Sequence, residues 1–186
     1  MVTIPMLWAP ILISTVLVFL ASFLLWMVLP FHRRDYRGLP DEASVAEALR
    51  RQDAGPGQYH IPWAADRAAR KDPEFMRRMK QGPAGFLTLV EPGAPNMAKS
   101  LGSWLVYVLV ISFFLAYLAS RTLPAATDYL QVFRVVGTVA VLAYSGAVIP
   151  GAIWFGRPWG NVIRDVMDGV VYGLLTAGTF GWLWPR

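Results

Sequence analysis

The chain has 186 residues, 55% of them hydrophobic and 16% charged, and its mean hydropathy is +0.43. This composition excludes an ordinary soluble domain and is typical of an integral membrane protein. The absence of cysteine excludes disulfides, thiol catalysis, iron–sulfur clusters and cysteine zinc sites. We attribute the formal charge of +5 to membrane orientation and anionic lipids, and expect no nucleic-acid binding, because no recognition motif accompanies the charge.

The first predicted membrane span runs from Met6 to Leu29, within a first segment of residues 1–30. Its polar side chains are Ser14, Thr15 and Ser22 alone. A hydrocarbon core of about 30 Å needs roughly 20 helical residues, so this run is long enough to cross it. Neither a preceding Lys or Arg nor a small-residue cleavage pattern accompanies the run, so we expect no cleavable signal peptide.

A basic collar follows the first span directly. It consists of His32, Arg33, Arg34 and Arg37. Because Lys and Arg concentrate on the cytoplasmic side of membrane proteins, we interpret this collar as a cytoplasmic anchor that stops the first span.

Residues 31–100 form a polar insertion with short patterned pieces. "LPDEASVAEALRRQ" and "DPEFMRRMKQG" have acidic starts, basic ends and turn residues beyond them, which predicts two short helices. "QYHIPW" and "AGFLTLVEP" are bounded by Gly or Pro and predict two strands. A small α+β cytoplasmic domain of this size is near the lower limit for an independent core, so we expect it to lean on the membrane or on a partner.

Three further spans are predicted in residues 101–186. They cover Leu101–Ser120, Phe133–Phe155 with an interruption at Pro150 and Gly151, and Val162–Trp184. The predicted fold is therefore an all-α integral membrane protein, a four-helix transmembrane bundle with an α+β insertion between the first and second spans. The distribution of Lys and Arg places the N-terminus and the C-terminus outside the cytoplasm and residues 31–100 inside it.

Small residues recur every four positions in the later spans, which is typical of helix-packing seams in membranes. The fourth span contributes Gly169, Gly173, Ala177 and Gly181, the second contributes Ser112, Ala116 and Ser120, and the third contributes Ala143, Ala147 and Gly151. We expect a tight bundle, formed within the chain or against another protein.

Three charged residues are candidates for a position inside the membrane. They are Arg134, Asp165 and Asp168. Asp165 lies one turn before the fourth-span stripe, so it needs a cationic partner, and Asp168 lies one turn deeper. Candidate partners of Asp165 are Arg157, Arg164 and the collar residues Arg33 and Arg34, whereas Arg134 has Asp128 and the terminal carboxylate at its own end.

Catalytic and metal-binding motifs are not evident in the sequence. His32 and His60 are the two histidines, and they lie far apart without a carboxylate at ligand spacing. No glycine-rich phosphate loop, nucleophile elbow or HExxH pattern occurs. We therefore expect no metal site, no cofactor and no enzymatic activity.

Three stretches resemble a family of small, uncharacterised bacterial inner-membrane proteins. They are "LPFHRRDYRGLPDEASVAEALR", "FRVVGTVAVLAY" and "YGLLTAGTFGWLWPR". The resemblance covers most of the chain and implies the same order of one span, a polar insertion and three spans. It implies no activity, cofactor or catalytic residue.

Three functions are compatible with these features. The favoured one is a non-catalytic accessory or assembly subunit of a larger membrane complex, with a respiratory or photosynthetic electron-transfer complex as a candidate host. Its partners would be membrane lipids and other membrane subunits. The alternatives are a small oligomeric transporter or channel that uses Arg134, Asp165 and Asp168, and a lipid-headgroup enzyme that uses His32, Asp35 or His60.

Overall fold

The computed structural model describes residues 2–186 and is mostly helical, with 69% of the chain in helices. Three helical segments within these residues are long and apolar enough to cross a membrane, namely Ile4–Val28, Met97–Thr122 and Tyr129–Phe155. The protein is therefore a multi-pass membrane protein. These segments confirm the first three predicted spans.

The first segment consists of α1 (Trp8–Phe23) with a 3₁₀ turn before it and one π-helical turn, Leu24–Val28, after it. It ends at Leu29, whose backbone is extended. The next residue is a proline, and the residue before a proline disfavours the helical conformation. A second 3₁₀ turn, Pro30–His32, follows at once.

Helix α7 (Trp159–Trp182) is the fourth long helix, whereas α2 (Glu42–Arg51) and α3 (Pro73–Gln81) belong to the insertion described below. Two further long helices precede α7, namely α4 (Met97–Thr122) and α5 (Tyr129–Ser145). Each is capped by an Asn or Asp side chain that accepts a hydrogen bond from a backbone N–H in the first turn of the helix. Helix α7 carries charges near its start and is not among the three candidate spans within residues 2–186. A fourth span, and with it the four-helix transmembrane bundle, therefore stays a prediction.

The predicted interruption of the third span is displaced toward the N-terminus. Helix α5 ends at Ser145, a 3₁₀ turn covers Gly146–Val148, and α6 (Ile149–Phe155) then begins. Placing the break at Pro150 and Gly151 was wrong. Pro150 has no N–H for the carbonyl four residues earlier and its ring crowds that carbonyl, so the irregularity appears one turn before the proline.

The long helices pack on one another in a fixed set of pairs. Helix α7 packs most extensively on α5 and also contacts α1, and α1 contacts α4. Helices α4 and α5 also contact each other, but less extensively. The core between them is apolar, and its largest fully buried side chains include Phe180, Leu7, Val18, Val108 and Val132.

Residues 36–95 form a separate compact unit together with residues 153–156. It contains α2 (Glu42–Arg51), α3 (Pro73–Gln81) and a two-stranded antiparallel sheet of β1 (Gly57–Ile61) and β2 (Gly85–Leu89). These elements confirm the two short helices and two strands that the sequence predicts. The other unit comprises residues up to 35, 96–152 and 157–186, and we call it the helical unit.

Candidate functional site

His32 is the centre of the most unusual group of side chains in the helical unit. The 3₁₀ turn after Pro30 buries it, leaving 7% of the residue exposed. Its imidazole stacks on the indole of Trp26, with the ring centroids 3.9 Å apart and the planes 5° from parallel. The edge of Phe31 closes a second side. The imidazole is therefore held in one orientation by aromatic rings.

Each ring nitrogen of His32 contacts a carboxylate. Nδ1 lies 2.6 Å from Oδ2 of Asp35, one turn along the chain, and Nε2 lies 3.0 Å from Oδ2 of Asp168 on α7. With both carboxylates ionised, an imidazolium donates to both at once. This Asp35–His32–Asp168 chain joins the end of the first segment to the third turn of α7.

Asp168 is buried, with 3% of the residue exposed. The indole Nε1 of Trp26 donates a second hydrogen bond to the same Oδ2 atom, over 2.9 Å. Hydrogen bonds to an ionised group are the strong ones, and a buried carboxylate is costly without them. Trp26 therefore both orients His32 and stabilises the carboxylate that His32 binds.

Asp35 is held by α7 as well as by His32. Arg164 donates from Nε to Oδ1 over 2.7 Å, and its Nη2 also contacts that oxygen. The side chain of Asn161 donates to the Asp35 carbonyl and accepts from Arg164. Burial raises the pKa of the Asp35 carboxyl, but the hydrogen bonds and charges of His32 and Arg164 outweigh it, so the pKa lies below its ordinary value of 3.8.

Asp165 has a different partner. Nη2 of Arg157 donates to its Oδ2 over 2.7 Å. Its Oδ1 atom is buried and has no hydrogen-bond partner among residues 2–186. Of the partners considered for Asp165, Arg157 is therefore the one in contact.

These side chains together form what we call the ionic cluster. It consists of His32, Asp35, Arg157, Arg164, Asp165 and Asp168. Three carboxylates stand against two guanidinium groups and one imidazole, so the cluster is neutral when the imidazole is protonated. Charged groups are tolerated at depth when they are paired and hydrogen-bonded in this way.

Three residues of the cluster carry atoms that could act as metal ligands. His32, Asp35 and Asp165 offer ligand atoms within 4.8 Å of one another. Both nitrogens of His32 already face carboxylates, however, and arginines neutralise the other two residues. The arrangement fits ion pairing better than it fits a bound cation.

The arginines of the basic collar are not part of the cluster. Arg33, Arg34 and Arg37 are exposed and form no ion pair with any residue from 2 to 186. Sequence reasoning treated His32 as one more member of the anchor and missed its contacts with Trp26 and the two aspartates. A histidine three residues before an aspartate, directly after a span, is the signal that could have found part of them.

The predicted stripe on α7 lies against α5. An added Cβ on Gly173 would sit 2.9 Å from the backbone N of Val141, and one on Gly181 would sit 2.8 Å from the ring of Tyr129. Gly169, one turn before Gly173, and Ala177, between the two glycines, lie on the same face and are buried. The two helix backbones therefore approach closely along the whole stripe.

The stripe on the second span is also buried, with Ser112, Ala116 and Ser120 all turned away from solvent. Ser14 of α1 donates a hydrogen bond to Ser112 over 3.2 Å. In the third span the predicted seam is not packed against α7: Ala147 is exposed, and Ala143 and Gly151 are half-buried, so packing of this stripe against another protein stays a prediction. Helix α5 presents larger residues such as Val141 to α7, since glycines on one helix leave room for bulk on the other.

Arg134 is not brought together with Asp165 and Asp168. It is exposed near the start of α5 and forms no ion pair within the part of the chain that the structure describes. Eleven residues separate it from Ser145, which faces Gly169, or roughly 16 Å along the helix axis. The three candidate charges therefore do not form one site.

A cavity of about 530 Å³ adjoins the ionic cluster inside the helical unit. Its walls are mainly apolar and aromatic, with Trp26, Trp104 and Tyr107 among them, and Asp165 and Asp168 line it together with Tyr144 and Tyr172.

Comparison of the chain with family models, curated proteins and solved structures found no match.

Proposed function

We propose that the protein is a non-catalytic accessory subunit of a larger complex in a bacterial inner membrane, held to a protein partner through its insertion. The observation that carries this proposal is the small core of the insertion. Of the hydrophobic residues between 36 and 95, all of which the structure describes, Ala64 and Phe75 are buried. Trp63 is 68% exposed and Val90 is 78% exposed. Such apolar surface is stabilised by contact with another surface.

The charge of the insertion favours a protein as that surface. Residues 36–95 contain nine lysines and arginines and eight aspartates and glutamates, a net charge of +1. Segments that bind anionic lipid headgroups carry clusters of Lys and Arg instead. A nearly balanced surface with exposed aromatic residues is the composition of a protein interface.

In this proposal α1, α4, α5 and α7 cross the membrane as a four-helix bundle. The insertion is cytoplasmic and both termini are periplasmic, as the distribution of Lys and Arg favours. The resemblance to small bacterial inner-membrane proteins supports the same order of spans. A respiratory or photosynthetic electron-transfer complex is the candidate host.

The transporter alternative has less support. Asp165 and Asp168 already have cationic partners at one end of the helical unit, and Arg134 lies near the other. Fully buried residues between the two ends are mostly apolar, such as Val108 and Val136. The polar ones, Ser14, Ser112 and Thr176, are uncharged and hydrogen-bond to one another or to a backbone carbonyl within the bundle. A polar path for a solute is what transport would require.

The proposal is tested with the tagged full-length chain, purified at native expression in a mild detergent and analysed by mass spectrometry and absorption spectroscopy. We expect a stoichiometric membrane-protein partner. The double variant Trp63→Glu, Val90→Glu should reduce its recovery about tenfold or more, because two desolvated charges at an interface core cost several kcal/mol. The double variant Gln52→Glu, Gln58→Glu adds the same charge at exposed polar positions and should retain the partner.

Two results would contradict the accessory role. One is a monodisperse chain that purifies without any partner. The other is equal recovery of the partner with both double variants, which would place the interface elsewhere than on the insertion. Circular dichroism of each variant verifies that the helices are intact.

A further inference from the structure

The cavity beside the ionic cluster extends lengthwise along the helices. On α4 its lining residues run from Met97 to Tyr107, and ten residues of α-helix rise roughly 15 Å. On the first segment they run from Phe19 to Met27, eight residues or roughly 12 Å. With a volume of about 530 Å³ over this length, the cavity is a groove that follows the helix axes.

One end of this groove lies at the basic collar. The first segment and α4 run antiparallel, with Trp104 bonded to Ser22 and Ser112 bonded to Ser14. The end of the first segment and the start of α4 therefore lie at the same end of the helical unit, where the collar follows. The groove thus begins at the collar and continues toward the middle of the bundle.

The wall of the groove is apolar and borders the lipid. Phe23 and Met97 line it and are 50% and 51% exposed, so their side chains face both the groove and the surface that lipid chains cover. Asp165 and Asp168 also line it, but both are paired within the ionic cluster, and Asp168 is only 3% exposed. The groove therefore suits an apolar chain that enters from the bilayer.

Three cationic side chains at the collar end have no partner. Arg33, Arg34 and Lys99 are exposed and form no ion pair with any residue from 2 to 186. The two arginines directly follow the histidine that stacks on the lining residue Trp26, and Lys99 directly precedes the lining residue Ser100. Guanidinium groups bind phosphate with paired hydrogen bonds, and an ammonium binds it as a point charge.

From these observations we infer that the groove binds an anionic phospholipid. One acyl chain lies along the apolar wall, and the phosphate pairs with Arg33, Arg34 and Lys99 at the collar. A choline or ethanolamine headgroup is less favourable, because it brings a further cation to this surface. The site is separate from the interface proposed on the insertion and needs no protein partner.

The test titrates the delipidated full-length chain in a mild detergent with dioleoylphosphatidylglycerol and, separately, with dioleoylphosphatidylcholine. Native mass spectrometry counts the bound lipids, and we expect tighter binding of the phosphatidylglycerol. The double variant Arg33→Gln, Arg34→Gln should weaken its binding about ten- to thirtyfold, the effect of two cationic side chains at a lipid surface. Neither arginine pairs with another side chain among residues 2–186, so the fold should be unaffected.

A matched variant separates this site from a general effect of charge. Arg121→Gln, Arg134→Gln removes the same charge from exposed positions at the other end of the helical unit. It should leave the affinity for phosphatidylglycerol unchanged. Equal affinities of the natural chain for the two lipids, or equal losses in the two double variants, would overturn the proposal.

The place of the acyl chain is tested by filling the groove. Ala147→Phe adds a ring at a lining position and should weaken binding of phosphatidylglycerol about tenfold, the effect of about two CH₂ groups that are no longer buried. Val110→Phe adds the same ring at an exposed position on α4 outside the groove and should bind the lipid normally. Normal binding by Ala147→Phe would show that the chain does not occupy the groove.

Two competitors test whether both halves of the lipid are recognised. Glycerol 3-phosphate carries the phosphate without acyl chains, and dioleoylglycerol carries the chains without the phosphate. Neither should displace phosphatidylglycerol at equal concentration. Displacement by glycerol 3-phosphate would assign the collar to free phosphates, and displacement by dioleoylglycerol would show that the headgroup is not recognised; either result would overturn the assignment to an anionic phospholipid.

Discussion

His32 combines two interactions that are usually found apart. Its ring is stacked on Trp26, and its two nitrogens contact Asp35 and Asp168. Removing the imidazole would leave two buried carboxylates with fewer partners, and the loss of one member of a buried ion pair costs more than the pair itself contributes. The ionic cluster therefore depends on this one side chain more than on any of its arginines.

We expect His32→Ala to lower the free energy of unfolding of the helical unit by about 3–5 kcal/mol, since it leaves an uncompensated buried charge. Unfolding by sodium dodecyl sulfate in mixed micelles measures this change. His60→Ala is the matched control, because His60 forms a hydrogen bond with the carbonyl of Pro62 and pairs with no carboxylate among residues 2–186. Its loss should cost about 1 kcal/mol, and equal losses for the two variants would show that the ionic cluster contributes little.

At this scale the sequence could reveal only half of the site. Asp35 lies three residues from His32, so their contact follows from local spacing once the turn after Pro30 is recognised. Asp168 lies 136 residues away, and its choice of His32 rather than Arg164 depends on how α7 is rotated against the first segment. No local pattern encodes that rotation.

Among the helices, the close approach of α5 and α7 sets the position of everything on α7. Gly173 and its neighbours in the stripe leave no room for side chains between the two backbones. The resulting contact fixes the rotation of α7, which turns Asp168 toward His32 and the cavity. Small residues in the middle of this helix thus position the charged residues near its start.

A larger side chain in the stripe should therefore separate the helices. We expect Gly173→Leu to destabilise the helical unit by about 1–3 kcal/mol, because the first new atom would meet the backbone of Val141. Gly102→Leu on α4 makes the same change where nothing lies within 4 Å and should be neutral. Unfolding in dodecyl sulfate compares the two. An unchanged Gly173→Leu variant would mean that α5 and α7 are not held together by the stripe.

The spacing of small residues predicted the surface of α7 but not its counterpart on α5. A four-residue repeat of glycine and alanine is visible in the sequence of α7, whereas α5 meets it with Val141 and Ser145. The sequence of α5 contains a competing repeat at Ala143 and Ala147, and nothing local indicates which of the two surfaces is used. The glycines of α7 determine which surface of α5 is used, because they leave room for the bulkier side chains there, such as Val141.

For the molecule as a whole, hydropathy alone predicts three of the four long helices. The first three candidate spans contain few charges, whereas α7 has Arg164, Asp165 and Asp168 in its first three turns. Whether α7 crosses the membrane determines which side the C-terminus is on. With four spans the two termini share a side, and with three they do not.

We expect both termini to be periplasmic and the insertion cytoplasmic. The natural chain has no cysteine, so single substitutions Thr3→Cys, Gly55→Cys and Arg186→Cys each provide a unique label site. An impermeant maleimide added to intact spheroplasts should label the first and the last, and should label Gly55→Cys only after permeabilisation. The natural chain, which has no cysteine, is the control for background labelling. Labelling of Thr3→Cys without Arg186→Cys would show that α7 does not cross.

The pairing of α7 with residues of earlier segments also bears on how the protein is made. Helix α7 is synthesised after α1, α4 and α5, and its charges oppose entry into lipid when it is alone. By then His32 and Arg157 have already left the ribosome, and α5 is available for the glycine stripe. In a four-span topology, α7 would therefore enter the membrane beside helices that are already synthesised and that neutralise its carboxylates. Biogenesis would thus be ordered from the N-terminus, with the last step conditional on all those before it.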